Sequence, residues 1–328
     1  MSGQIRLGIV GFGRIVELVH LPALKRVPEI GIGGVYDLTP QRLELAAKRG
    51  LPVYPSLERL LDAPIDAVLI ATPPSSHFPL AAQAMRQGKH VMLEKPVTRT
   101  AEEAEQLLAI ARMTGRTVSV FHNRRFDPDY ELVRRALAED WLGQVLFVER
   151  RHQMFGSGAS FGVKSFRPQW RNEGEFGGGA LLDWGVHLLD QLLQLRLGRI
   201  ERVLSAHTAS LRWQQGDAED LVHASFRLDN GIVLSCDVNF GSNAALPLWI
   251  VGGERATLQV GPEREALLLA KGQPARRFEL PQANRGGPQR LYAAFAGCLL
   301  RGERPAVTLD EAAEAMRAIA AIREKAAM

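Results

Sequence analysis

Cysteine is nearly absent from this chain of 328 residues: Cys236 and Cys298 are the only two. Two thiols are too few for a disulfide framework or a thiolate metal centre, so a reducing compartment is the expected setting. No apolar run reaches the length needed to span a bilayer. The stretch MSGQIRLGIVGFG does not read as a secretory leader, because Arg6 and several glycines interrupt its apolar run. Together these absences lead us to expect a cytoplasmic protein with no membrane partner. An excess of one charge is missing too. Lys and Arg number 40 against 36 Asp and Glu, giving a net charge of +4. The charges are interspersed, with no basic tail and no aromatic-basic stripe, so nucleic acid is not an expected partner. There is no low-complexity segment and no internal repeat.

What is present is an ordinary globular balance, with 46% hydrophobic and 23% charged residues. The length suits two domains rather than one core. Over residues 1–123, apolar runs rich in β-formers alternate with helical patterns. IRLGIVG, IGIGGVYD, DAVLIAT, HVMLEKP and TVSVFHN read as strands, with a short one near Val53. Residues 14–27, 40–49, 75–87 and 100–114 repeat apolar positions at spacings of three and four, the pattern of helices covering a parallel sheet. Strands and helices so arranged predict a doubly wound α/β domain of the Rossmann kind. Residues 124–328 predict an α+β domain with a large, mainly antiparallel sheet. Its expected parts are a helix over 129–139, a strand over 145–153, a helix over 180–196, strands through 200–280 with turns at DNG and GGE, and helices over 289–301 and 309–326.

Chemistry enters at GIVGFGRIV, residues 8–16. Gly11 and Gly13 follow a strand and open a helix, where only glycine lets backbone N–H groups approach a pyrophosphate closely. Arg14 and Ile15 come directly after, and Val16 stands where a small residue is usual. The second strand ends in Asp37, whose carboxylate can accept both ribose hydroxyls of NAD and would repel the extra phosphate of NADP. NAD is the expected cofactor, with NADP as the alternative, since Thr39 and Arg42 lie close enough in sequence to meet a phosphate. ATPPSSH, residues 71–77, ends another strand in Thr72, Pro73 and Pro74, which would stiffen a wall for a flat cofactor ring. Read locally, the stronger account is an ordinary loop before a helix capped by Ser75 or Ser76, with His77 on the surface. HVMLEKPVT raises the question of a lysine at the end of a buried strand, which a ligand cleft at the carboxyl edge of a parallel sheet would answer. In GGGALLDWGVHLLDQLLQLRLG, residues 177–198, Asp183, His187, Asp190 and Gln194 recur on one helical face. That stripe is read equally well as a solvated face or as a histidine oriented for proton transfer by Asp183. The spacing also suits two metal ligands, yet no third is evident, and no metal is expected.

In this order and spacing, GIVGFGRI, ATPPSSH, the EKP tripeptide and the DWGVH helix resemble the Gfo/Idh/MocA oxidoreductases, the family of glucose-fructose oxidoreductase and inositol dehydrogenase. The likeness covers nearly the whole chain. It implies that Lys95 reaches the substrate oxygen beside the nicotinamide and that Asp183 and His187 face it across the domain cleft. Trp170 and Arg171, in RPQWR, match an element that reaches the cofactor in some members. Glu94, Thr72, Pro73 and His77 join Gly11, Gly13, Arg14, Ile15 and Asp37 as expected cofactor residues. Asn123 and Arg124, in FHNRRFDP, and Tyr292 are implied substrate neighbours. The expected activity is NAD(P)-dependent hydride transfer to or from a hydroxyl-bearing carbon of a sugar, inositol or related polyol, by a homo-oligomer (dimer or tetramer). A non-catalytic dinucleotide or sugar sensor on the same fold and a keto-sugar or imine reductase are the alternative readings.

Overall fold

The computed structural model describes residues 3–156, 162–211, 216–244, 246–282 and 287–328. Within the 200–280 strand region, residues 212–215 and 245 therefore lie outside the described residues. The chain forms two compact units. The first holds Met1–Asn123, Gly158–Gly178 and Gly286–Met316, and the second Arg124–Ser157, Gly179–Arg285 and Arg317–Met328. Residues 158–178 and 286–316, read from sequence with the second half, thus cluster with the first unit. The cause is visible in Tyr292, whose ring meets Phe121, and in Gly177, which sits against Pro74.

In the first unit, β1 (Ile5–Val10), β2 (Ile30–Tyr36), β3 (Ala67–Ile70), β4 (His90–Leu93) and β5 (Val118–Val120) form one sheet in the order β2-β1-β3-β4-β5. Every pairing is parallel. Such strands need cover on both faces, which explains why AVLI of β3 is buried at all four residues. Val53 adds a one-residue parallel bridge to Val35 at the far edge. Counting that bridge as a strand yields the 3-2-1-4-5-6 order of a dinucleotide-binding sheet. The helical pattern over 14–27 is realised in pieces, a π-helical turn Val16–His20 followed by α1 (Leu21–Leu24). Val16 is fully buried where that wide turn begins. Helices α2 (Pro40–Lys48), α3 (Leu57–Asp62), α4 (His77–Arg86) and α5 (Ala101–Thr114) complete the cover. The sequence reading missed α3, a single short segment whose cap Ser56 accepts from Arg59 N at 3.3 Å.

The second unit begins with α6 (Pro128–Ala138) and β6 (Val145–Gln153). The segment over 180–196 is again split, into a π-helical turn Leu181–Gly185 and α7 (Val186–Gln194). Strands β7 (Ile200–Ala209), β8 (Leu221–Leu228), β9 (Val233–Asn239), β10 (Trp249–Gly253), β11 (Thr257–Val260), β12 (Glu265–Leu269) and β13 (Arg276–Glu279) follow. They join β6 in the order β13-β12-β11-β10-β6-β9-β8-β7. The sheet is mainly antiparallel, with one parallel pairing, β6 with β9. Burial alternates strictly along β9, one side buried and the other half-exposed, as in an antiparallel sheet with a single covered face. The chain closes with α8 (Gly287–Arg301) and α9 (Leu309–Ala326). Among the described residues no helix is long and apolar enough to cross a membrane.

Candidate active site

Because all five strands of the first unit are parallel, the loops after β1, β2, β3 and β4 leave from one edge of the sheet. The strand order reverses at β1, which is where open α/β sheets bind their ligands. After β1 the chain turns at Gly11 with φ +87, a conformation that suits glycine; a Cβ there would come within 2.8 Å of Ala71 O and Thr72 Cγ2. At Gly13 an added Cβ would meet nothing within 4 Å, so the backbone faces open space. Arg14, exposed, and Ile15, half-buried, open the helix that follows. A bare glycine turn at a helix start fits the pyrophosphate of a dinucleotide.

The peptide between the two glycines is held on both sides. Phe12 N donates to Asp37 Oδ2 at 2.6 Å, and Phe12 O accepts from Arg42 Nε at 2.5 Å. Asp37 Oδ1 accepts from Thr39 N and Oγ1, each at 2.8 Å. Three acceptor positions of the carboxylate are thus engaged, out of about four that a carboxylate offers. Asp37 can still meet a ribose hydroxyl, but both only if Thr39 yields. Arg42, which the NADP alternative would set near a phosphate, pairs with Glu17.

The loop after β3 is tied to the loop after β4. His77, read from sequence as a surface residue, is fully buried. Its Nδ1 lies 2.7 Å from Pro96 O and its Nε2 lies 2.9 Å from Thr72 O. Burial pushes its pKa down, against the two carbonyls and the Glu94 charge, which raise it. His77 is therefore enclosed between the Thr72 and Pro96 carbonyls, and its neutral ring, with one N–H, donates to one of them. Ser76 does not cap α4 through its side chain; its hydroxyl donates to Pro73 O at 2.8 Å and lies 2.6 Å from the Thr72 hydroxyl. Thr72 and Pro73 stay half-exposed at the strand edge.

Beyond β4, Lys95 is half-exposed and its bond to Pro96 is cis. Glu94, beside it, is buried, with Oε1 2.9 Å from His20 Nε2 and Oε2 accepting from Lys95 N at 3.0 Å. Burial raises the Glu94 pKa, but the His20 hydrogen bond and the charges of His20 and Lys95 outweigh it, leaving the carboxyl below its usual range. His20 is fully buried and its Nδ1 lies 2.7 Å from the hydroxyl of Tyr292. Tyr292 has no exposed surface, and burial first, then the Glu94 charge, raise its pKa well above 10.0. The hydroxyl of Tyr292, implied as a substrate neighbour, thus lies within the core against His20. His20 went unnoticed in the sequence because its partners lie 74 and 272 residues away.

Trp170 and Arg171 lie in a short 3-10 turn, the guanidinium 4.2 Å above the indole ring centre. Their segment contacts the first unit at both ends. Ser165 Oγ lies 3.5 Å from Thr39 Oγ1, and Glu175 O accepts from Arg99 Nη1 at 3.0 Å. Asn123, half-buried, closes the first stretch of that unit.

In the second unit, Asp183 lies half-exposed in the π-helical turn and His187 is buried in α7. The expected polar stripe is not a solvated face. Asp190 is 1% exposed and takes a bidentate pair from Arg125 at 2.8 and 2.6 Å. Trp184, between Asp183 and His187, is stacked on His152 at 3.4 Å and carries the Arg124 guanidinium at 4.4 Å. Arg124 also pairs with Asp127 at 2.9 Å, and its carbonyl accepts from Gln191 Nε2 at 2.7 Å. These contacts fix the start of α7. Among the described residues, no group of three or more His, Cys, Asp or Glu is placed to hold a metal ion.

A parallel sheet with a glycine turn after its first strand and a carboxylate after its second defines a dinucleotide-binding protein. Residues 5–122 match the model described as "Oxidoreductase family, NAD-binding Rossmann fold", and residues 130–259 match the GFO/IDH/MocA C-terminal domain. The chain belongs to the Gfo/Idh/MocA oxidoreductase family. It is 36% identical over 198 residues to the uncharacterized oxidoreductase YdgJ of Escherichia coli, an alignment covering 60% of this chain and 54% of that protein. The chain thus spans about half the length of that relative. Over 98% of this chain and 93% of its own length, scyllo-inositol 2-dehydrogenase (NADP(+)) IolW of Bacillus subtilis is 27% identical. The crystal structure of an NAD-binding protein from Listeria innocua is similar at a TM-score of 0.85 and 30% identity, covering 99% of this chain and 95% of that one.

Proposed function

We propose that this protein transfers hydride between NAD and a hydroxyl-bearing carbon of a sugar, inositol or related polyol. The observation that carries the reading is the single sheet edge bearing the open backbone at Gly13, the Asp37 carboxylate, and Lys95 backed by the buried Glu94. The inositol named for the Bacillus subtilis relative supports the substrate class. Bound nicotinamide would supply or accept the hydride. Gly11 and Gly13 bind the pyrophosphate, Asp37 meets a ribose hydroxyl, and Thr72 and Pro73 wall the cofactor ring. Lys95 donates a charge-assisted hydrogen bond to the substrate oxygen and stabilises the alkoxide as it forms. His187 takes the hydroxyl proton during oxidation and returns it during reduction, while Asp183 orients the ring or holds a neighbouring hydroxyl. Asn123, Arg124, Trp170 and Arg171 remain proposed neighbours of substrate and cofactor. We place the enzyme in the cytoplasm as a homo-oligomer.

The test is an absorbance screen at the nicotinamide band, with a panel of polyols and aldoses and both cofactors, on wild type, Lys95→Ala and His187→Ala. Each variant should bind NADH nearly as wild type does and turn over about 10²- to 10⁴-fold more slowly, as expected for a lost acid or base. The double variant should be little worse than the poorer single one, because groups serving one proton transfer do not add. Near-normal turnover in both single variants would sink the mechanism.

A further inference from the structure

Glu17 stands outside the roles assigned above, yet it binds two cations at the adenosine end of the cradle. One carboxylate oxygen accepts from Arg42 Nη2 and the other from Arg49 Nη2. Arg42 is itself nearly enclosed, with a side chain 12% exposed, and Glu17 is similar at 14%. The same guanidinium donates through Nε to Phe12 O at 2.5 Å and lies 5.5 Å from the Phe12 ring centre. Phe12 N in turn donates to Asp37, the residue at the end of β2 where the adenosine ribose is met. Arg42 therefore sits one peptide group away from Asp37. In this fold, an arginine near the end of the second strand accommodates the 2′-phosphate of NADP. Here its Nε donates to a carbonyl and its Nη2 to a carboxylate.

We infer that Glu17 is a cofactor-specificity residue: by holding Arg42 and Arg49, it withholds the cations that a 2′-phosphate would need. Asp37 repels that phosphate directly, and Glu17 removes its alternative partners. The selectivity for NADH over NADPH is thus divided between a strand-end carboxylate and one in the first turns of the preceding helix. This deepens the proposed function and rests on its dinucleotide site.

The experiment is direct titration of the full chain with NADH and with NADPH, read by nicotinamide fluorescence, so that no turnover is required. Glu17→Gln keeps the shape and removes the charge. It should tighten NADPH binding about tenfold, the scale of a hydrogen bond to a charged group, while NADH changes little. In Glu17→Gln/Arg42→Gln/Arg49→Gln the gain should disappear. An unchanged ratio in Glu17→Gln, or a gain that survives in the triple variant, overturns the inference. Arg42→Gln alone supplies an independent check should Glu17→Gln fold poorly. Because Arg42 braces Phe12, its loss should weaken both nucleotides by the same factor. A selective loss of NADPH would show that Arg42 already serves the phosphate in wild type and would equally overturn the inference. If wild type binds neither nucleotide, the dinucleotide reading itself fails, an outcome distinct from NADH binding with an unresponsive ratio.

Discussion

Lys95 and His187, the two groups proposed to act on substrate, are carried by opposite kinds of local structure. Lys95 leaves the end of β4, and its backbone N–H is held by Glu94, which is held by His20, which is held by Tyr292. His187 sits within one continuous helical segment whose start is braced by Trp184, Arg124 and the Arg125–Asp190 pair. The strand end is positioned by side chains brought together from three distant parts of the chain. The helix carries its own spacing and needs neighbours only to fix its origin. A loop has no internal hydrogen-bond ladder to set its direction, so it must borrow rigidity from buried polar contacts.

The largest effect should come from breaking the helix brace. Arg125→Ala would leave Asp190 buried without its bidentate partner, which costs about 3–5 kcal/mol when one member of a buried pair is removed. Thermal unfolding should show this, and Arg125→Ala/Asp190→Leu should recover much of the loss. If the single variant melts like wild type, Asp190 is relieved by another group and the brace is not what we describe.

A smaller effect is expected on the strand side. Tyr292→Phe keeps the ring against Phe121 but deprives His20 Nδ1 of its hydroxyl partner. An unsatisfied buried polar atom costs about 1–3 kcal/mol. If the chain of contacts positions Lys95, the same variant should lower turnover severalfold with NADH affinity preserved. Loss of stability with full turnover would make the cluster purely a matter of packing.

The smallest effect is a pH dependence that sharpens the comparison. Among the described residues, three buried groups that ionise in the alkaline range have raised pKa values: Tyr292 well above 10.0 in the first unit, and in the second Tyr130 at about 12 and Cys236 at about 12. Burial is the main cause in each case. Their ordinary values are 10.0 for tyrosine and 9.0 for cysteine. A raised acid contributes stability in full below its unfolded pKa and loses it as pH rises toward the folded value. Melting temperature should therefore fall from about pH 9 upward. Tyr292→Phe should flatten part of that fall above pH 10, where tyrosine ionises in the unfolded chain. An identical alkaline slope in wild type and variant would show that Tyr292 does not contribute.

Much of the architecture was legible because it rests on local periodicity. The strands of the parallel sheet, the carboxylate ending β2, the glycine turn and the D-W-G-V-H helix all appear as patterns within a few residues. Burial on both faces makes a continuous apolar run, and a pyrophosphate turn requires glycine whatever surrounds it. The same locality explains the errors. His77 reads as a surface residue because nothing beside it announces Pro96 O as a partner. The π-helical turns at Val16–His20 and Leu181–Gly185 carry the same spacing as α-helix over so few residues.

What the sequence determined by itself is the alternation of strand and helix, the family it belongs to, and the residue types available for chemistry. Tertiary structure alone decided which of those residues are spent inside. It set the hydroxyl of Tyr292 against His20, drew Asp190 into a buried ion pair, and closed Glu17 around Arg42 and Arg49. The physical reason is that a hydrogen-bonding group near a site has two possible partners, a ligand or another part of the protein. Only the packed chain, with partners far apart in sequence drawn within about 3 Å, determines which one it takes.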